Sequence, residues 1–150
     1  MSPELLFAWT FPVAAPFWAL MILAPGWSVT RLVIGSPLIV LPVALIYALL
    51  VLPQLGTFLP AVADPSPIGV AALLATPVGA AAGWAHFIAF DLFVGRWMYL
   101  EGRRLNVHPL VMAPVLVITI LLAPVGLPLF LIVRKVCDAT NRGAAVVTHQ

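Results

Sequence analysis

Two side chains that could exchange protons, His86 and Asp91, stand inside the apolar stretch from Thr76 to Tyr99. An imidazole and a carboxyl are the usual partners in acid–base chemistry, one giving a proton while the other takes one. At membrane depth an ionised carboxylate costs on the order of 3 kcal/mol unless it is protonated, paired or hydrated, so Asp91 demands compensation. Five residues separate His86 from Asp91, and five more separate Asp91 from Arg96. Neither pair meets across one helix. A partner for Asp91 must come from elsewhere: Tyr47, Thr119, Arg31, water or its own proton. In the plainer alternative, Asp91 is protonated and donates to a backbone carbonyl freed by a nearby proline. His108, before Pro109, and Arg103 with Arg104 read as interfacial residues that meet lipid headgroups. Zinc-ligand spacing, a glycine-rich phosphate loop and a serine elbow are all missing, so neither a metal nor a cofactor is expected.

The elements that must position these groups are membrane helices. Of 150 residues 63% are hydrophobic and 8% charged, where a soluble domain carries about a quarter charged. Mean hydropathy is +1.15, and the net charge of +2 sits near predicted helix ends, which argues against a nucleic-acid partner. The expected fold is all-α, an integral membrane four-helix bundle with proline-kinked spans and a short half-buried helix before span three. The spans are read at about 5–24, 33–52, 77–100 and 109–133, within a single transmembrane domain over residues 1–137 followed by a flexible tail over 138–150. Pro25-Gly26, the Pro53 to Pro60 segment and Asp64-Pro65-Ser66-Pro67 punctuate the chain. Thr76 and Pro77 open span three as N-cap and first helical residue.

Four crossings would leave both termini on one side. Arg31, Arg103 and Arg104 would then oppose Arg134, Lys135 and Arg142, and the early Arg31 only slightly favours the short turns facing the cytoplasm. No leader precedes span one, so the sequence predicts a multi-pass protein of the cell inner membrane, of bacterial type. On span three, Ala80, Trp84, Phe87, Asp91, Gly95 and Met98 form one predicted seam, and His86, Phe90, Phe93 and Trp97 a second face. Gly79 and Gly83 leave room for a close helix.

The run Gly83-Trp84-Ala85-His86-Phe87-Ile88-Ala89-Phe90-Asp91-Leu92-Phe93-Val94-Gly95-Arg96-Trp97, with Pro109 and the later Ala123-Pro124-Val125-Gly126-Leu127-Pro128-Leu129, resembles the abscisic-acid-deficient-four, or neoxanthin-synthesis, membrane proteins and their bacterial relatives. The resemblance is close from about Thr76 to Arg134 and looser before. It implies a membrane-embedded step on a carotenoid or other isoprenoid lipid, isomerase-like, in which an epoxide opens and a double bond shifts. Such a step needs an acid for the oxygen and a base for a carbon-bound proton. The resemblance makes His86 and Asp91 the catalytic candidates, with Trp84, Phe87, Phe90, Gly95 and Trp97 around the apolar ligand. The partners expected are a membrane lipid or carotenoid-like apolar ligand and a second copy of the chain in a homo-oligomer. Two rival readings are a non-catalytic membrane scaffold, with Asp91 as a structural polar residue, and a proton or small-solute path through Asp91. The second is weaker, because one carboxylate does not make a relay.

Overall fold

A computed structural model of the chain describes the backbone of residues 1–147 and the side-chain environments of residues 1–140. All regular structure among them is helical. The helices are α1 (Pro3–Leu23), α2 (Ser28–Gly35), α3 (Leu41–Val51), α4 (Leu55–Ala63), α5 (Pro67–Leu74), α6 (Pro77–Arg104) and α7 (Pro109–Val147). Four stretches are long and apolar enough to cross a membrane: Pro3–Leu23, Pro37–Ala63, Pro77–Arg104 and Pro109–Thr140. The chain divides into two compact units, one from residues 1–16 and 38–90, the other from residues 17–37 and 91 onward.

In the first unit, Leu6 of α1, Ile46 and Leu50 of α3, Phe58 of α4, and Ala81 and Ala85 of α6 share one core. Small α6 residues let the neighbouring helices approach closely, which is how apolar helices gain contact in lipid. Pro53 does not end the second apolar stretch, as its sequence suggests. It sits in a 3-10 turn (Leu52–Gln54) that leads directly into α4, where a residue without an N–H loses no helical bond. The short α5 begins as its sequence requires, Ser66 Oγ accepting from Gly69 N at 3.0 Å. It has no buried residue, although Leu73 packs against the core. Thr76 caps α6, its Oγ1 accepting from Gly79 N at 3.0 Å.

In the second unit the start of α2 is tied to the end of α6. Tyr99 Oη donates to Pro25 O at 2.8 Å, and buried Thr30 Oγ1 donates to Ala24 O at 2.8 Å across the Pro25-Gly26 turn. After Arg104, Asn106 takes the left-handed conformation (φ 55°), Val107 N donates to Gly102 O and Asn106 N to Arg103 O. That pairing is a Schellman cap, and asparagine tolerates the conformation better than most residues.

The helix α7 is not straight. Leu122 leaves helical geometry (φ −149°, ψ 69°), and a Cβ built on Gly126 would lie 2.7 Å from Thr119 Cα. On a straight helix those residues would stand ~10 Å apart. Gly102 lies against Met112, and Glu101, one residue earlier, pairs with Arg134 at 3.0 Å. Residues 112 and 134 would be ~33 Å apart on a straight helix, yet both reach the same turn of α6. So α7 is two antiparallel arms joined at Leu122, where the sequence reads a single fourth crossing. Pro124 contributes to the break, since it lacks an N–H and in a straight helix its ring would meet the carbonyl of Ile120. The backbone is helical through Val147, and residues 148–150 of the tail expected over 138–150 lie outside the described part.

The buried stripe of α6 also differs from the predicted seam. Ala81, Ala85, Ile88, Leu92, Gly95 and Tyr99 are its buried line, while Ala80, Trp84 and Phe87 are exposed. The spacing sets Asp91 roughly 80° off that line and His86 roughly 140° off.

Candidate functional site

His86 is exposed on the first unit and framed by rings. Its imidazole stacks on Phe90 (centroids 4.7 Å apart, planes at 26°), and Tyr47 of α3 lies 5.9 Å away. Phe87 meets it edge-on at 6.2 Å. Phe90 is the i+4 neighbour on α6, so this stacking follows from helix spacing alone. The contribution of Tyr47 is tertiary. Phe87 and Phe90 are 58% and 60% exposed, and Trp84 rests on Phe7 of α1 at 5.6 Å. An exposed surface thus carries an imidazole among aromatic rings.

Asp91 begins the second unit and is half-buried. Of the partners weighed for it, Thr119 donates to Val115 O at 2.8 Å and lies 3.8 Å from Met98 Sδ, and Tyr47 belongs to the His86 cluster. Among the described residues Asp91 makes no hydrogen bond or ion pair, so its compensation comes from protonation, water or a ligand. The five-residue spacing to His86 turns the two side chains roughly 140° apart on α6.

The other candidates divide in the same way. Gly95 is buried under Trp18, whose indole occupies the space of a Cβ, so it serves helix packing rather than an open ligand surface. Trp97 packs edge-on against Phe130 at 5.3 Å and remains 37% exposed. His108 is exposed and its Nδ1 accepts from Leu110 N at 3.3 Å, at the start of α7. Arg103 is exposed, while Arg104 forms a two-pronged pair with Glu101 at 2.7 and 2.8 Å. The role of Arg96 escapes the sequence reading. Its Nε donates to Ile34 O (2.8 Å) and Ser36 O (3.2 Å), and its Nη2 to Gly35 O (2.6 Å). The one signal for it was Ser36-Pro37, a helix stop that leaves carbonyls without partners.

A family model described as ABA DEFICIENT 4-like matches residues 5–130. The chain belongs to the ABA DEFICIENT 4-like family. The match covers the His86 cluster, Asp91 and the first arm of α7 with its break at Leu122. With its four long apolar helical stretches, this ABA DEFICIENT 4-like protein is a small multi-pass membrane protein. No curated protein and no solved structure matches it.

The two glycines beside the site should respond differently to enlargement. A Cβ at Gly83 would meet only Leu74 Cδ2, at 3.1 Å, the far end of a flexible chain. One at Gly95 would overlap the Trp18 indole, which is itself buried. Melting in detergent should therefore fall by no more than about 1 kcal/mol for Gly83→Ala and by about 2–3 kcal/mol for Gly95→Ala. Equal losses would mean that Trp18 can swing aside.

Proposed function

We propose that this ABA DEFICIENT 4-like protein takes a carotenoid or other isoprenoid lipid from the bilayer and acts on it by proton chemistry. The observation that carries the reading is His86, held among Tyr47, Phe87 and Phe90 on an exposed face of the first unit. An extended polyene or prenyl chain lies well along such rings, and the imidazole stands where a ligand oxygen or allylic carbon could reach it. His86 is the proton-exchanging group at the ligand, and the Tyr47 phenol is a second donor in reach of the same face. Asp91, with its carboxyl free of internal partners among the described residues, is the second titratable group of the helix. Family membership supports the substrate class through the resemblance of the His86 to Asp91 run to the neoxanthin-synthesis proteins.

Mass spectrometry of lipid extracts tests this, comparing a deletion strain with strains complemented by wild type, His86→Ala or Asp91→Asn. Deletion should remove an isoprenoid product, and wild type should restore it. Each variant should fold and yield about 100-fold less product or lower still, the usual scale for loss of an acid or base. An unchanged isoprenoid profile on deletion would reject the reading. Full product from Asp91→Asn would remove Asp91 from the chemistry and leave it a structural role, because asparagine keeps size and hydrogen bonding but cannot ionise.

A further inference from the structure

The fold-back of α7 changes the distribution of charge. A straight fourth crossing would send Arg134 and Lys135 to the side opposite Arg103 and Arg104. Instead Arg134 reaches Glu101, so the second arm of α7 returns its basic residues to the end of α6. Arg31 belongs to the same end of the second unit. Tyr99 is bonded to the Pro25 carbonyl there, Arg103 lines one small cavity with Pro25 and Tyr99, and Thr30, next to Arg31, is bonded to Ala24 O.

These cations are not equivalent. Glu101 engages Arg104 (2.7 Å) and Arg134 (3.0 Å), and Asp138 stands 4.0 Å from Arg134. Arg96 is spent on the three carbonyls that end α2. Arg31 and Arg103 come from different helices, are exposed, and form no ion pair among the described residues. An anion held between two guanidinium groups relieves their repulsion, and a phosphate accepts two-pronged bonds from each. The surroundings select a lipid as the source of that phosphate. Trp27 is 54% exposed and Leu32, beside Arg31, is 79% exposed, which suits the headgroup boundary with acyl chains alongside.

We propose that α7 is a re-entrant hairpin that enters and leaves the membrane on one face, and that this basic face binds the phosphate of an anionic phospholipid between Arg31 and Arg103. Basic residues in short connections favour the cytoplasmic side, so that face is the cytoplasmic one. Glu101 engages Arg104 and Arg134, and of the cations on this face left without an ion pair among the described residues, Arg31 and Arg103 lie on the α2 and α6 side while Lys135 lies on the second arm of α7.

The experiment has two arms and uses the full chain. In a Cys137→Ser background, His108→Cys and Ala139→Cys variants are labelled with a membrane-impermeant maleimide in intact cells and in inverted vesicles. Both should label only in inverted vesicles. Labelling from opposite sides would overturn the hairpin, and labelling of both in intact cells would overturn the orientation. In the second arm, native mass spectrometry compares retention of phosphatidylglycerol and phosphatidylcholine from mixed micelles. The anionic lipid should be preferred, with the preference falling about fivefold in Arg31→Gln or Arg103→Gln and roughly thirtyfold in the double variant. Arg104→Gln should change it less than about twofold, and the Arg31→Lys/Arg103→Lys variant should keep most of it, separating lost charge from lost fold. An Arg104→Gln effect equal to that of Arg103→Gln would reduce the site to general surface charge. Displacement of the lipid by equimolar inorganic phosphate would reassign it to free anions.

Discussion

Gly126→Ala should destabilise the second unit by at least about 3 kcal/mol, because the added methyl meets backbone rather than the far end of a flexible side chain. The clash is with backbone: the new Cβ would sit 2.7 Å from Thr119 Cα and 2.9 Å from Thr119 Cβ, across the α7 turn. Thr119 cannot retreat, because it is fully buried, bonded to Val115 O and seated on Met98. The arms must therefore separate, and the Glu101–Arg134 pair and the Trp97–Phe130 contact go with them. Thermal unfolding in detergent reads the loss. Gly56→Ala is the control, since a Cβ there meets nothing within 4 Å and alanine favours a helix. Equal melting of the two variants would show that α7 does not fold back as described.

Arg96→Met should cost about 3–5 kcal/mol, the sum expected when three charge-assisted bonds to backbone carbonyls are lost. Methionine keeps the length and apolar stem of the side chain, so the loss reports the guanidinium rather than packing. Ile34, Gly35 and Ser36 would each lose their donor at the point where the chain leaves α2 for the 3-10 turn Pro37–Val40. In lipid no water takes its place. Arg96→Lys should recover less than half of the loss, because a single ammonium cannot reach three carbonyls as a planar fork does. Melting curves of the two variants check this, and a neutral Arg96→Met would mean that the end of α2 is hydrated.

Local rules were legible in the sequence wherever one residue type decides the backbone. The Thr76-Pro77 start of α6 and the Pro25-Gly26 turn both stand where capping and turn chemistry place them. The packed face of α6 was not legible. In water, apolar means inside, but in lipid apolarity does not tell a packed face from an exposed one. Bulky Trp84, Phe87 and Phe90 therefore face outward while Ala81, Ala85 and Gly95 hold the interface. The α7 turn was hidden for a related reason. Hydropathy sums residues without direction, and Pro124-Val125-Gly126 reads equally as a kink in a crossing or a reversal. Gly126 against Thr119, and Arg134 on Glu101 33 residues away in sequence, distinguish them. Of the candidate site, His86 and its i+4 ring were readable from spacing, whereas Tyr47 beside them required the tertiary structure.

The fold-back of α7 bears on how the protein is made. The first arm, residues 109–122, is too short to bridge a hydrocarbon core ~30 Å thick at 1.5 Å per residue, so it cannot anchor itself as it leaves the ribosome. The arms must enter the bilayer together, as one wedge, against an α6 already in place to receive Thr119, Phe130 and Arg134. Biogenesis is then ordered from the N-terminus, and a chain stopped before Gly126 would present a half-inserted helix with an open flank, a natural substrate for membrane quality-control proteases.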